Sequence, residues 1–169
     1  MKIKVLIIFT LLSFNCFAQE KIELRNIYFE NRIAFNELTN QVFTGIAQNK
    51  NKKGYIKSEE VYENGILLKK LLYYNIHFKQ IVSDETIFNP KTNKKITHLR
   101  YSSDGKIYWE TIFDENQRKS EFNTYENGIN TLHEEYLNGK KHGKWFKICD
   151  DGTECKKEYS NGKKIKDCN

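Results

Sequence analysis

Beyond residue 18 the chain holds only two alanines, Ala34 and Ala47. Strong helix formers are therefore sparse, which argues against a helical fold. Long apolar runs are missing too. The longest, Val5–Phe17, falls short of the roughly 18 residues needed to span a membrane. Catalytic signatures are absent: there is no Gly-x-Ser-x-Gly, P-loop or dinucleotide fingerprint. His77, His98, His133 and His142 fall on different strands or turns, without His-x-x-x-His or His-Glu-x-x-His spacing. Glu59-Glu60 and Glu134-Glu135 are neighbours in strand-like segments, so each pair points to opposite faces and cannot work as paired carboxylates. Cys149 and Cys155 do not have a usual zinc spacing, and no fourth ligand accompanies Cys149, Cys155 and Cys168. The expectation is a protein without metal, cofactor or enzymatic activity.

What is present is a recurring turn. Tyr62-Glu63-Asn64-Gly65, Tyr125-Glu126-Asn127-Gly128, Tyr136-Leu137-Asn138-Gly139 and Tyr159-Ser160-Asn161-Gly162 all read Tyr-x-Asn-Gly. Asn-Gly between strand-like runs signals a tight hairpin, because both residues tolerate positive φ. Looser copies end at Gly105 and Gly152. Phe88-Asn89-Pro90-Lys91-Thr92-Asn93-Lys94, with the only proline, and Phe113-Asp114-Glu115-Asn116-Gln117 fill the remaining gaps. One strand plus one turn takes about eleven residues, the interval of an all-β chain. Within one such strand, Ile107, Trp109, Thr111 and Phe113 are expected on one face. Ile66–Tyr74 is more continuously apolar, but the turn residues Asn64-Gly65 and Asn75 bracket it at strand length.

The fold expected is all-β, an elongated antiparallel meander of repeated hairpins with about ten strands. Leu137-Asn138-Gly139-Lys140-Lys141-His142-Gly143-Lys144-Trp145-Phe146, then Asp151-Gly152, then Tyr159-Ser160-Asn161-Gly162-Lys163, resembles the bacterial MORN-repeat variant. Val42-Phe43-Thr44-Gly45 is similar to the Phe-Thr-Gly that opens its first repeat. The resemblance spans residues 42–166 and is weakest at 76–100. It implies an array of β-hairpins, and for some members an antitoxin-like partnership with a toxin.

Lys2 and Lys4 ahead of Val5–Phe17, and the small-x-small site Cys16-Phe17-Ala18, read as a signal peptide over residues 1–18, cleaved between Ala18 and Gln19. A competing reading makes Cys16 a lipidated cysteine, as in an outer-membrane lipoprotein, although Ser13-Phe14-Asn15 is a poor lipobox. Export to the periplasm or beyond follows from either. Residues 19–41 then form an N-terminal cap or first hairpin, with Ile27-Tyr28-Phe29 as a strand, and residues 42–169 carry the repeats.

Without Lys2 and Lys4 the chain has 26 basic and 22 acidic side chains. The excess is local: residues 137–169 hold nine lysines against five acids, while 19–136 hold 17 of each. Such a basic end suits phosphate groups or an anionic glycan. The plainer reading is that the lysines keep an edge strand soluble and unpaired. Nucleic acid is disfavoured by export and by the lack of a recognition motif. The candidate interaction surface is Lys140, Lys141, His142, Lys144 and Trp145, used by an unidentified protein partner or by anionic lipid or glycan. Tyr136, Trp145 and Tyr159 either line that surface or supply rings to the core of a thin sheet. Oxidising surroundings permit a disulfide. A two-residue turn at Asn161-Gly162 places Ser160 opposite Lys163, Tyr159 opposite Lys164, and so Cys155 opposite Cys168, the preferred bond. Cys149–Cys155 is the alternative.

Overall fold

The computed structural model describes residues 20–76, 79–149 and 151–168. They are almost entirely strand, with a single 3-10 turn, Leu24–Asn26. In chain order the strands are β1 (Glu20–Glu23), β2 (Ile27–Glu30), β3 (Ile33–Asn36), β4 (Gln41–Val42), β5 (Gly45–Lys50), β6 (Ile56–Glu63), β7 (Ile66–Ile76) and β8 (Lys79–Phe88). They continue as β9 (Lys95–Tyr101), β10 (Ile107–Phe113), β11 (Lys119–Glu126), β12 (Ile129–Leu137), β13 (Lys140–Lys141), β14 (Gly143–Ile148), β15 (Glu154–Ser160) and β16 (Lys163–Cys168). Thirteen of them form one sheet that runs from β5 to β16 as successive hairpins, with β13 paired on β12. The fold is the all-β meander that the turn ladder predicts. No helix among the described residues is long and apolar enough to cross a membrane.

One pair departs from the antiparallel pattern. β1 lies parallel to β5, with Glu20 opposite Gly45 and Glu23 opposite Gln48. A parallel neighbour needs a crossover. Here the intervening chain folds into a separate three-stranded sheet, β2-β3-β4. That sheet sits on the β6–β7 turn: Ala34 N–H donates to Gly65 O at 2.9 Å, and Gly65 N–H donates to Phe43 O at 2.7 Å. Gly65 is required there, because a Cβ would overlap Ile33 and press on the Ala34 backbone. The apolar core lies at this junction. Ala34, Phe43, Ala47 and Tyr62 are fully buried, with Ile22, Leu24, Ile27 and Leu67 packed around them.

Beyond β7 the sheet is a single layer. Among the described residues, the buried side chains there are Ser83, Thr111 and Asn123, all polar. Most other side chains in those strands are half-buried on both faces. A layer without a second layer is held by its cross-strand pairs rather than by a core.

The Asn-Gly turns have positive φ at both residues, for example 52° and 77° at Asn138 and Gly139. This is the geometry that matches strand twist in a two-residue hairpin. An extra feature follows three of these turns. Tyr62 faces Leu67, but Val61 faces Lys69, which leaves Leu68 unmatched. Tyr125 faces Asn130, but Thr124 faces Leu132, which leaves Thr131 unmatched. Tyr159 faces Lys164, but Glu158 faces Lys166, which leaves Ile165 unmatched. Each turn is thus followed by a β-bulge at its third residue after glycine, which increases the local twist.

These bulges correct two sequence expectations. The pairs Ser160–Lys163 and Tyr159–Lys164 are as expected, but the bulge at Ile165 then puts Cys168 opposite Lys156 instead of Cys155. The bond forms between Cys149 and Cys155, whose Cα atoms are 6.0 Å apart across the β14–β15 turn. A register shift between Ile107 and Trp109 likewise pairs Ile107 with Tyr101 and Trp109 with Arg100, neighbours on opposite faces of β9. Ile107 therefore does not share the face of Trp109.

Candidate functional site

Strand alternation and the register sort the side chains into two faces. One face carries a row of rings and cations. Arg100 lies over the Trp109 ring at 4.5 Å, and Trp109 meets Phe122 edge-on at 5.6 Å. Lys119 sits over both Phe122, at 4.9 Å, and Tyr136, at 4.1 Å. Tyr136 packs on Trp145 at 5.2 Å, and Trp145 on Tyr159 at 5.0 Å. Lys141 closes the row, 4.3 Å over Trp145 and 5.2 Å from Tyr159. Each cation–ring contact at such exposure stabilises by about 0.5–1 kcal/mol. The row crosses from β9 to β15 without a break.

Carboxylates on this face are held by their own partners. Asp84 receives His98 and Arg100, each at 3.2 Å. Burial alone would raise the Asp84 carboxyl, but hydrogen bonds from Ser83, His98 and Arg100 outweigh it and hold the group below its ordinary range. Glu134 accepts the Tyr136 hydroxyl and lies 3.7 Å from Lys119. Burial, then the Glu134 partner, raises the Tyr136 phenol.

The opposite face carries a repeated tyrosine–carboxylate pair. Tyr73 donates to Glu59, Tyr101 to Glu85 at 2.6 Å, and Tyr125 to Glu110 at 2.8 Å. Side chains join these units. Gln48 donates to Glu59 at 2.6 Å, Lys69 pairs with Glu85 at 2.6 Å, and Asn123 donates to Glu110 at 3.1 Å. Burial and then the Glu110 carboxylate push Tyr125 up to about 12. At Glu85 burial would raise the carboxyl, but Lys69 and Tyr101 together lower it. The spine ends at Glu135, which His133 meets at 3.2 Å and to which the Lys144 N–H donates at 3.1 Å. Glu59, Glu85, Glu110 and Glu135 recur at steps of 26, 25 and 25 residues. That recurrence, with a tyrosine on the neighbouring strand for the first three, is a signal that the turn pattern alone does not expose.

The sequence-contiguous surface 140–145 is divided by the fold. Lys141 and Trp145 come together on the ring face. Lys144 lies on the spine face, opposite Glu158. Lys140 pairs with Leu137 beside the hairpin turn. His142 donates its backbone N–H to Glu135 O at 3.0 Å, and its Nδ1 is buried without a hydrogen-bond partner. Gly143, at φ 69°, follows it because a Cβ there would overlap the Glu135 carboxylate. The close approach lets Trp145 Nε1 donate to Glu135 O at 2.8 Å. Lys147, Lys157 and Tyr159 join Lys141 and Trp145 instead, around a cavity of about 180 Å³ that Leu132 also lines. Ala18 and Gln19 lie outside the described residues.

No group of three or more His, Cys, Asp or Glu among the described residues is placed to hold a metal ion. No family model matches the chain, and no curated protein does. Among solved structures the chain is similar to a chain of the GtfA/B complex bound to UDP and GlcNAc, with 12% identity and a TM-score of 0.47 over 83% of this chain and 27% of that one. It is also similar to TarM, with 16% identity and a TM-score of 0.37 over 63% of this chain and 21% of that one. This chain therefore spans about a quarter of their length. Likeness at these scores carries no weight for function.

Proposed function

We propose that the protein is an exported, non-catalytic β-repeat module of the MORN-variant kind that binds a protein partner through the ring face of its long sheet. The continuous row from Arg100 to Tyr159 supports this reading best. A single-layer sheet leaves that row half-exposed, and exposed aromatic and cationic side chains in one contiguous strip mark interaction surfaces. A second reading, an anionic membrane or glycan surface held by the basic end, is favoured by the exposure of Lys141, Lys147 and Lys157 on one face.

The test is lysine-directed cross-linking of native envelope extract, followed by peptide mass spectrometry. Links to one protein from Lys70, Lys119 or Lys157, and not from Lys69, Lys144 or Lys166 on the other face, are expected. Links spread evenly over both faces, or none to any protein, would refute the module.

A further inference from the structure

The cavity on the ring face of the last hairpins carries a more specific reading, which rests on the proposed module. It is lined by Leu132, Trp145 and Tyr159, by Lys141, Lys147 and Lys157, and by one carboxylate, Glu134. The register places these together: Trp145 opposite Lys157, Lys147 opposite both Leu132 and Cys155, and Gly143 opposite Tyr159. All three lysines are exposed, while Trp145 and Tyr159 are half-buried. Nearby carboxylates are already engaged. Glu134 accepts Tyr136, and Asp167, opposite Lys157, is held by Lys164 at 2.7 Å. The Lys141 ammonium is held over two rings, so part of its rotamer entropy is already lost before a ligand arrives. Its N–H groups are not consumed by the rings, which offer no conventional acceptor.

We infer that this cavity docks an acidic segment of a protein partner, one that sets an aliphatic or aromatic side chain against Trp145 and Tyr159 and brings carboxylates to Lys141, Lys147 and Lys157. Charge complementarity points this way, since residues 137–169 carry nine lysines against five acids. The apolar side chains choose between anionic occupants. A lipid headgroup satisfies the lysines but leaves the apolar lining at Leu132, Trp145 and Tyr159 uncovered, whereas an acidic peptide with alternating apolar residues meets both. The disulfide Cys149–Cys155 closes the β14–β15 turn beside the cavity, with Cys155 opposite Lys147.

The chain has two tryptophans, Trp109 and Trp145, so Trp109→Phe makes Trp145 the only indole reporter. The probes are a fluorescein-labelled peptide alternating Glu with Leu, its Lys-for-Glu counterpart, phosphatidylglycerol vesicles and polygalacturonate. Anisotropy with the unaltered chain provides a readout that does not depend on the Trp109 variant. Saturable binding of the Glu peptide with a change in Trp145 emission is expected, and none with the Lys peptide. Lys147→Glu and Lys157→Glu should each weaken binding by about tenfold or more, and Lys144→Glu, on the other face, by less than about twofold. No saturable peptide binding, equal losses for Lys144→Glu, or tighter binding to vesicles or polygalacturonate than to the peptide would overturn the inference. If the peptide fails while cross-links still map to Lys70 and Lys119, the module stands and this cavity is not its site.

Discussion

Gly143→Ala should be far more damaging than its loop-like position suggests. The backbone there has φ 69°, and a side chain in that conformation costs about 1–2 kcal/mol. The new Cβ also overlaps the Glu135 carboxylate, which must swing away. The carboxylate then loses the Lys144 N–H, at 3.1 Å, and His133, at 3.2 Å. Each is partly exposed, so about 1 kcal/mol apiece is the appropriate scale. The total is about 3–4 kcal/mol. Gly139→Ala is the control. Its φ is 77°, but nothing lies within 4 Å of the new Cβ, so only the backbone term of about 1–2 kcal/mol applies. Glu135→Ala should rescue Gly143→Ala in part, since the overlapping oxygens are gone. A double-mutant cycle should show a coupling of about 1–2 kcal/mol. Urea unfolding followed by tryptophan fluorescence gives all four values, with Trp145 two residues from the substitution. Equal losses for Gly139→Ala and Gly143→Ala, or no coupling with Glu135, would refute the close-approach argument.

Non-reducing peptide mapping should recover a Cys149–Cys155 link and leave Cys168 open to alkylation; a 155–168 link would overturn the bulge at Ile165. The loop is short, so reduction should cost only about 2 kcal/mol in the chain-entropy picture. In ultraviolet titration, Tyr125 should ionise near pH 12, and Tyr62, Tyr73, Tyr101 and Tyr136 also later than a free phenol. These folded values are raised above the unfolded one, so the stability they contribute is complete below about pH 10 and is lost as pH rises from there. A single transition near pH 10 in a still-folded chain would contradict the tyrosine–carboxylate spine. Mass spectrometry of the native protein should find Gln19 at the N-terminus; a diacylated Cys16 would establish the lipoprotein reading instead.

The hairpin ladder was legible in the residues because positive φ at Asn-Gly is a local property. Each of Asn64-Gly65, Asn127-Gly128, Asn138-Gly139 and Asn161-Gly162 fixes its turn with no help from distant parts of the chain. Strand character between turns was legible for the same reason. The bulges were not. None of Leu68, Thr131 and Ile165 is a glycine or other turn-forming residue, yet all three are unmatched at the same place after a turn. Each adds local twist to its hairpin, and the residue type at the bulge does not announce it. One unmatched residue moves every later partner, and this is why the Cys155–Cys168 pairing does not occur. The same logic divided the basic run. Lys140, Lys141, His142, Lys144 and Trp145 are consecutive enough to suggest one surface, but alternation and the opening at Gly143 send them to different faces. Lys147, Lys157 and Tyr159 meet Lys141 and Trp145 only because β14 and β15 pair in one register. The amino-acid sequence alone thus determined that the chain folds as successive hairpins with a basic end. Which side chains share a face was decided by the assembled sheet, because a period of two converts each one-residue shift into a change of side.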